Sequence, residues 1–219
     1  LILTAVQTVL LRIGGMSWFD AVCQSFGTVA TGGFSTKQAS IAYWDSAYIQ
    51  YVISIFMILS GVNCSLYYFG FKNKFSKIKE NEELKYYLIL LFSATIFIVF
   101  SLIDFDQAFT FAKLEKAWRD AFFTVSSLMT TTGFGTADYV QWQPYTWVIL
   151  LIVMLTGASA GSTSGAIKMV RIVIVFKYCY YEFKRIIHPN AVLPVRYSGH
   201  IVREDVITRV LAFVLLYLI

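Results

Sequence analysis

Charge is scarce in this chain. Asp, Glu, Lys and Arg make up 14% of its 219 residues and apolar residues 58%, for a mean hydropathy of +0.65. An ordinary soluble domain is about 25% charged and about 45–50% apolar, so the composition excludes one and points to an integral membrane protein. Cysteine is scarce too. Cys23, Cys64 and Cys179 are an odd number with no Cys-x-x-Cys spacing, which excludes a disulfide framework and a cysteine metal site. The two histidines, His188 and His200, have no ligand-like spacing. No hydrolase triad, H-E-x-x-H or dinucleotide fingerprint is present, so neither an enzyme nor a cofactor is expected.

The opening LILTAVQTVLLRIGGM lacks a charged leader and a small-residue cleavage site, so it does not read as a signal peptide. It reads as the tail of a helix, and VITRVLAFVLLYLI at the other end stops in mid-span. The expectation is an internal piece of a longer membrane protein.

The run Ser46 to Phe71 carries no formal charge over more than the roughly 20 residues that a helix needs to cross a bilayer. Length and charge predict a truncated helix at 1–14, full helices near 46–71 and 84–103, a long interrupted one from 144 to about 185, and a truncated start from about 204. The connections differ in charge. Residues 72–85 hold five lysines, and 177–203 hold Lys177, Lys184, Arg185, Arg196 and Arg203; 15–45 and 104–143 hold only Lys37, Lys113, Lys116 and Arg119. Ten basic residues against four place the first pair in the cytoplasm. The formal charge of +5 thus reports orientation, and no nucleic-acid partner is expected.

The outer connections carry a repeat. WFDAVCQSFGTVATGGFST at 18–36 aligns without a gap on WRDAFFTVSSLMTTTGFGT at 118–136, offset by 100 residues, with Trp, Asp, Ala, Thr, Gly, Phe and Thr identical. Such a match argues for internal duplication. The dozen residues Trp18–Val29 or Trp118–Met129 form only about 18 Å of helix, too short for a core of roughly 30 Å. Each is therefore expected to enter and leave on the same side, followed by a T-x-G-F turn lining a wet cavity. Gly33 and Gly133 precede Phe in both copies and allow angles that turn successive carbonyls toward one axis, where such carbonyls can replace the water shell of K+. Asp20 and Asp120 begin the short helices, leaving the negative ends of the dipoles toward the cavity.

A second stretch, LTGASAGSTSGAIKMVR at 155–171, is too rich in small and hydroxylated residues for a continuous helix. It reads as an intramembrane loop beneath a pore, or as a small-residue packing face. Ala166 and Ile167 separate Gly165 from Lys168, so the nucleotide-binding G-x-x-x-x-G-K-[ST] pattern is not met. Two roles are open to Lys168 and Arg171: snorkelling to the inner interface, or fixed positive charge beside the pathway. Asn63 and Ser65 line a cavity or bond between helices.

TVATGGFST, TTTGFGTADY and GASAGSTSGAIKMVR followed by KRIIHPNAVLPVRYSGHIV closely resemble the bacterial TrkH-type K+ uptake proteins of the Trk/Ktr/HKT superfamily. The resemblance implies an all-α polytopic membrane protein of tandem M1–pore loop–M2 repeats, channel-like and pseudo-fourfold when complete. Residues 1–71 would be the end of M1, the pore loop and M2 of a second repeat; 72–83 a cytoplasmic loop; 84–187 a complete third repeat; 188–203 a cytoplasmic connection; and 204–219 the start of a fourth M1. The resemblance further implies a K+ filter of backbone carbonyls at Thr31, Gly32 and Gly33 with Thr131, Thr132 and Gly133, with no other metal site. It makes the loop of Gly157, Ala158, Ser159, Ala160, Gly161, Ser162, Thr163, Ser164 and Gly165 a gate. An inner-membrane homodimer with a cytoplasmic, TrkA-like ring of nucleotide-binding subunits is implied as well. The alternative is a secondary transporter coupling K+ to H+ or Na+ at a broken helix, against which the sequence offers only one interrupted span.

Overall fold

Apolar runs in a membrane must close their backbone hydrogen bonds internally, and this chain does so with helices. The structure, a computed structural model, describes residues 1–103, 110–188 and 193–219. Residues 104–109 of the outer connection and 189–192 of the 188–203 connection lie outside the described residues. In chain order the elements are α1 (Ile2–Ile13), α2 (Trp18–Val29), α3 (Ala47–Ser60), α4 (Cys64–Phe71), α5 (Phe75–Lys79), α6 (Glu82–Leu102), α7 (Phe111–Met129), α8 (Pro144–Thr156), α9 (Met169–Ile187), β1 (Arg196–Tyr197), β2 (His200–Ile201) and α10 (Glu204–Leu218). Helix starts follow local chemistry. Ser17 accepts from the Asp20 amide at α2, Asn81 caps α6, and a proline opens α8.

Three expectations change. The 46–71 run is not one continuous helix: α3 and α4 meet at 94° across Gly61–Asn63. Among the described residues only α6 is by itself long and apolar enough to cross a membrane. The second short helix is longer than expected, because α7 begins at Phe111 and has 19 residues, about 28 Å. It is long enough for a span but not apolar enough, because its first half, FAKLEKAWRD, carries five charges. In the 188–203 connection a small antiparallel hairpin pairs Arg196 with Ile201 and Tyr197 with His200.

α1, α2 and α3 pack on one another, as do α6, α7 and α8. The first trio buries Leu11, Ala21, Ile49, Ile53 and Met57; the second buries Tyr87, Leu91, Ile98, Val125, Met129 and Val153. The trios interlock, because Phe123 and Phe134 of the second are buried in the core of the first. α10 lies on α9, with the hairpin tucked against both through Val195, Ile174 and Ile207.

Candidate ion pathway

Helices α2 and α7 end in the same way, and those ends set the backbone that follows. In the first copy the Thr31 amide donates to the Thr28 carbonyl at 3.1 Å, and the Gly32 and Gly33 amides both donate to the Gly27 carbonyl, at 2.8 and 3.4 Å. In the second copy the Thr131 amide donates to the Leu128 carbonyl at 3.0 Å, and those of Thr132 and Gly133 to the Ser127 carbonyl, at 2.9 and 3.4 Å. Carbonyls orphaned at a helix end are thereby satisfied. Handedness alternates along both segments: φ is +53° at Thr31 and +68° at Gly33, +55° at Thr131 and +82° at Gly133, with Gly32 and Thr132 on the ordinary side. Alternation with the amides turned back to the helix leaves successive carbonyls pointing the other way. The two segments face each other closely, since a Cβ built on Gly33 would stand 1.8 Å from the Thr132 carbonyl oxygen.

Polar side chains brace each segment from behind. Gln24 Nε2 donates to Ser35 Oγ at 2.7 Å, Ser127 Oγ to the Phe134 carbonyl at 2.7 Å, and the hydroxyls of Thr130 and Thr132 pair at 2.8 Å. Asp20 Oδ1 accepts from Thr36 Oγ1 at 2.6 Å and Oδ2 from Ser17 Oγ at 2.8 Å, closing the first segment into a loop. The Thr36 hydroxyl is the main cause that holds the Asp20 carboxyl below its ordinary range; desolvation opposes it, and Ser17 and Lys37 assist.

Residues 157–168 form a closed loop beneath these segments. Gly157 has φ +66°, and a Cβ there would meet Ala166 Cβ at 2.7 Å, so the two ends of the loop approach as only glycine allows. The Ile167 amide returns to the Leu155 carbonyl and that of Met169 to the Ala158 carbonyl. The tip touches both copies: Gly165 N–H donates to Thr131 Oγ1 at 2.7 Å and Thr163 Oγ1 to the Val29 carbonyl at 3.0 Å. It also engages the α3–α4 break, where Ser159 N–H donates to the Gly61 carbonyl at 3.1 Å and Cys64 N–H to the Gly161 carbonyl at 3.3 Å.

Lys168 and Arg171 part company. Lys168 Nζ turns into the loop and donates to the Ser164 carbonyl, to Ser164 Oγ at 3.2 Å and to the Ser162 carbonyl at 3.5 Å. Arg171 donates to the Ile167 carbonyl at 3.1 Å, and its guanidinium lies 3.9 Å from the Phe213 ring centroid on α10. Asn63 caps α4 by accepting from Ser65 N–H at 2.9 Å, with Gly161 against its amide.

Comparison with known proteins bears on this arrangement. The family model TrkH, described as cation transport protein, matches residues 2–219. The chain belongs to the TrkH family. It is 34% identical over 213 residues to the Trk system potassium uptake protein TrkH of Escherichia coli K12, covering 97% of this chain and 44% of that protein. Against TrkG of the same strain it is 34% identical over 207 residues, covering 94% and 42%. The crystal structure of the potassium transporter TrkH from Vibrio parahaemolyticus superposes with a TM-score of 0.88 at 30% identity, over 96% of this chain and 45% of that one. The chain thus spans less than half the length of these TrkH-family relatives. It is a helical membrane protein of that fold.

In this TrkH-family chain the six residues expected to form a filter come together, and all nine of the loop lie in one closed turn against them. Glu83 was missed in the sequence. Its carboxylate, 3% exposed, accepts from the Ala160 amide at 2.5 Å. Two adjacent glutamates after Asn81 read as ordinary helix-start acids, and nothing in the sequence told which one turns inward.

Proposed function

We propose that the complete protein takes up K+ across the inner membrane, that residues 31–33 and 131–133 supply two of four sides of its selectivity filter, and that the 157–165 loop gates the path. The observation that carries this reading is the doubled filter geometry: amides tied back at the same offsets, left-handed angles at the same positions, and one segment's carbonyl against the other's glycine. Water stripped from K+ is replaced by such carbonyls. Beneath them the loop hydrogen-bonds to Thr131 and to the Val29 carbonyl, so an ion leaving the filter meets it. Lys168 acts as the loop's internal cation, occupying the Ser162 and Ser164 carbonyls. The repeat boundaries given above, a homodimer and a cytoplasmic nucleotide-binding ring belong to the same proposal, resting on family likeness.

Deletion of Ala160 to Ser164 in the full-length protein, reconstituted in liposomes, is expected to raise K+ flux; flux at the parent level would remove the gate from this reading. The coupled-transporter alternative gains one observation, since α3–α4 is a second broken span and broken spans mark binding sites in that class. The two breaks, however, bond to each other through Ser159, Gly61, Cys64 and Gly161, which spends backbone groups that a substrate site would use. A fixed ion stoichiometry with saturating flux would favour the alternative; flux that follows the electrochemical gradient favours the channel.

A further inference from the structure

The geometry points to Glu83 as the positioning residue that holds the gating loop under the filter, an inference that rests on the gate reading above. Glu83 stands at the start of α6, yet its carboxylate turns away from its own helix end into the space where the two broken spans meet. There it accepts from the Ala160 amide in the loop at 2.5 Å, and the Val170 amide at the start of α9 and the Asn63 side chain at the α3–α4 break face the same carboxylate. The Lys168 ammonium acts on it through space. One anion therefore gathers donors from both breaks.

Two features make this more than a buried acid finding partners. The first is anchoring: the adjacent Glu82 accepts from Lys177 Nζ at 2.6 Å, and Lys177 also donates to the Arg196 carbonyl of the hairpin at 2.9 Å. The first turn of α6 is thus pinned to α9 and the cytoplasmic hairpin, and the carboxylate cannot follow the loop if the loop moves. The second is position along the loop. Ala160 lies between Ser159, bound to the Gly61 carbonyl, and Gly161, whose φ of +72° turns the chain toward the tip. Releasing the Ala160 amide frees the segment that carries Thr163 and Gly165 to the filter. Hydrogen bonds to an ionised acceptor are about twice as strong as neutral ones, so loss of the charge alone weakens the hold.

The test uses the full-length protein in liposomes, with every cysteine, Cys23, Cys64 and Cys179 included, replaced by serine and a reporter Ser162→Cys. K+ flux, the K+:Na+ flux ratio and the rate of Ser162→Cys modification by a water-soluble thiosulfonate are measured for the parent, Glu83→Gln and Glu83→Asp. Glu83→Gln is expected to raise flux and modification rate roughly tenfold, the factor matching about 1.4 kcal/mol, with the K+:Na+ ratio unchanged. Glu83→Asp, which keeps the charge, falls between. Ala160→Pro removes the donor from the other side and is expected to act as Glu83→Gln does, which carries the test if Glu83→Gln does not fold. Parent-level flux and modification in the variants, where the Ala160–Ser164 deletion does raise flux, overturn the role of Glu83 and leave the gate standing. If the deletion leaves flux unchanged, the gate reading fails, and the modification rate alone decides whether Glu83 holds the loop: faster in Glu83→Gln supports it, unchanged overturns it. A collapse of the K+:Na+ ratio in Glu83→Gln overturns it as well, because the effect would then lie in the filter.

Discussion

Gly33 and Gly133 occupy one motif position but stand in different surroundings. Both have positive φ, which costs a residue with a Cβ about 1–2 kcal/mol, but a Cβ on Gly33 also collides with the Thr132 carbonyl, whereas one on Gly133 meets nothing within 4 Å. Reversal potentials are therefore expected to show lost K+ over Na+ preference in both alanine variants, with Gly33→Ala the more severe and also the lower-melting. Asp20 supports a second prediction. Because its folded carboxyl is held below the unfolded value, its contribution to stability is present above the unfolded value, about 3.9, and is lost as pH falls through the folded one. The melting temperatures of the parent and Asp20→Asn should converge below about pH 4; a gap unchanged from pH 7 to 3 would refute the role of the Asp20–Thr36 bond. The Thr-x-Gly-Phe residues were legible in sequence because identity at a fixed offset marks them. Glu83 was not, because its neighbour Glu82 has the same chemistry and only packing separates their roles.

Among the elements, the α3–α4 break shows where pattern reading ends. Its residues Gly61, Val62 and Asn63 carry no charge and no proline, so hydropathy ran across them. The break is stabilised instead by partners from distant chain positions. Tyr87 Oη donates to the Ile58 carbonyl at 3.2 Å, Tyr67 Oη to the Leu59 carbonyl at 2.5 Å, and Ser159 N–H to the Gly61 carbonyl; the Ile58 and Leu59 carbonyls also accept from the Gly61 and Val62 amides, at 3.1 and 3.0 Å. Tyr87→Phe removes the hydroxyl's bond while the Ile58 carbonyl keeps the Gly61 amide at 3.1 Å, and it is expected to lower stability by about 0.5–1.5 kcal/mol, read as a lower melting temperature in detergent. The 157–165 loop was legible because its small residues cannot sustain a helix alone. The start of α7 was hidden for the opposite reason, as charges that look like a loop are carried by a helix.

For the whole molecule, the interlock of the two trios matters most. Phe134 is 4% exposed, with its ring beside Gly27 of α2, whereas Phe34, at the same place in the first copy, is 86% exposed. Phe134→Ala is expected to cost about 3–5 kcal/mol in any form of the protein. Phe34→Ala should cost little in the 219-residue chain and approach the Phe134→Ala value in a protein of its relatives' full length; equal small effects in both forms would show that no further unit covers Phe34. The duplication could be read from the sequence, but this asymmetry could not, because Phe34 and Phe134 sit in matching motifs. Its consequence is directional. The first unit receives the second's Phe134 while its own Phe34 ring stays uncovered, so the join is head-to-tail, and a further unit of this kind would meet Phe34 and not Phe134.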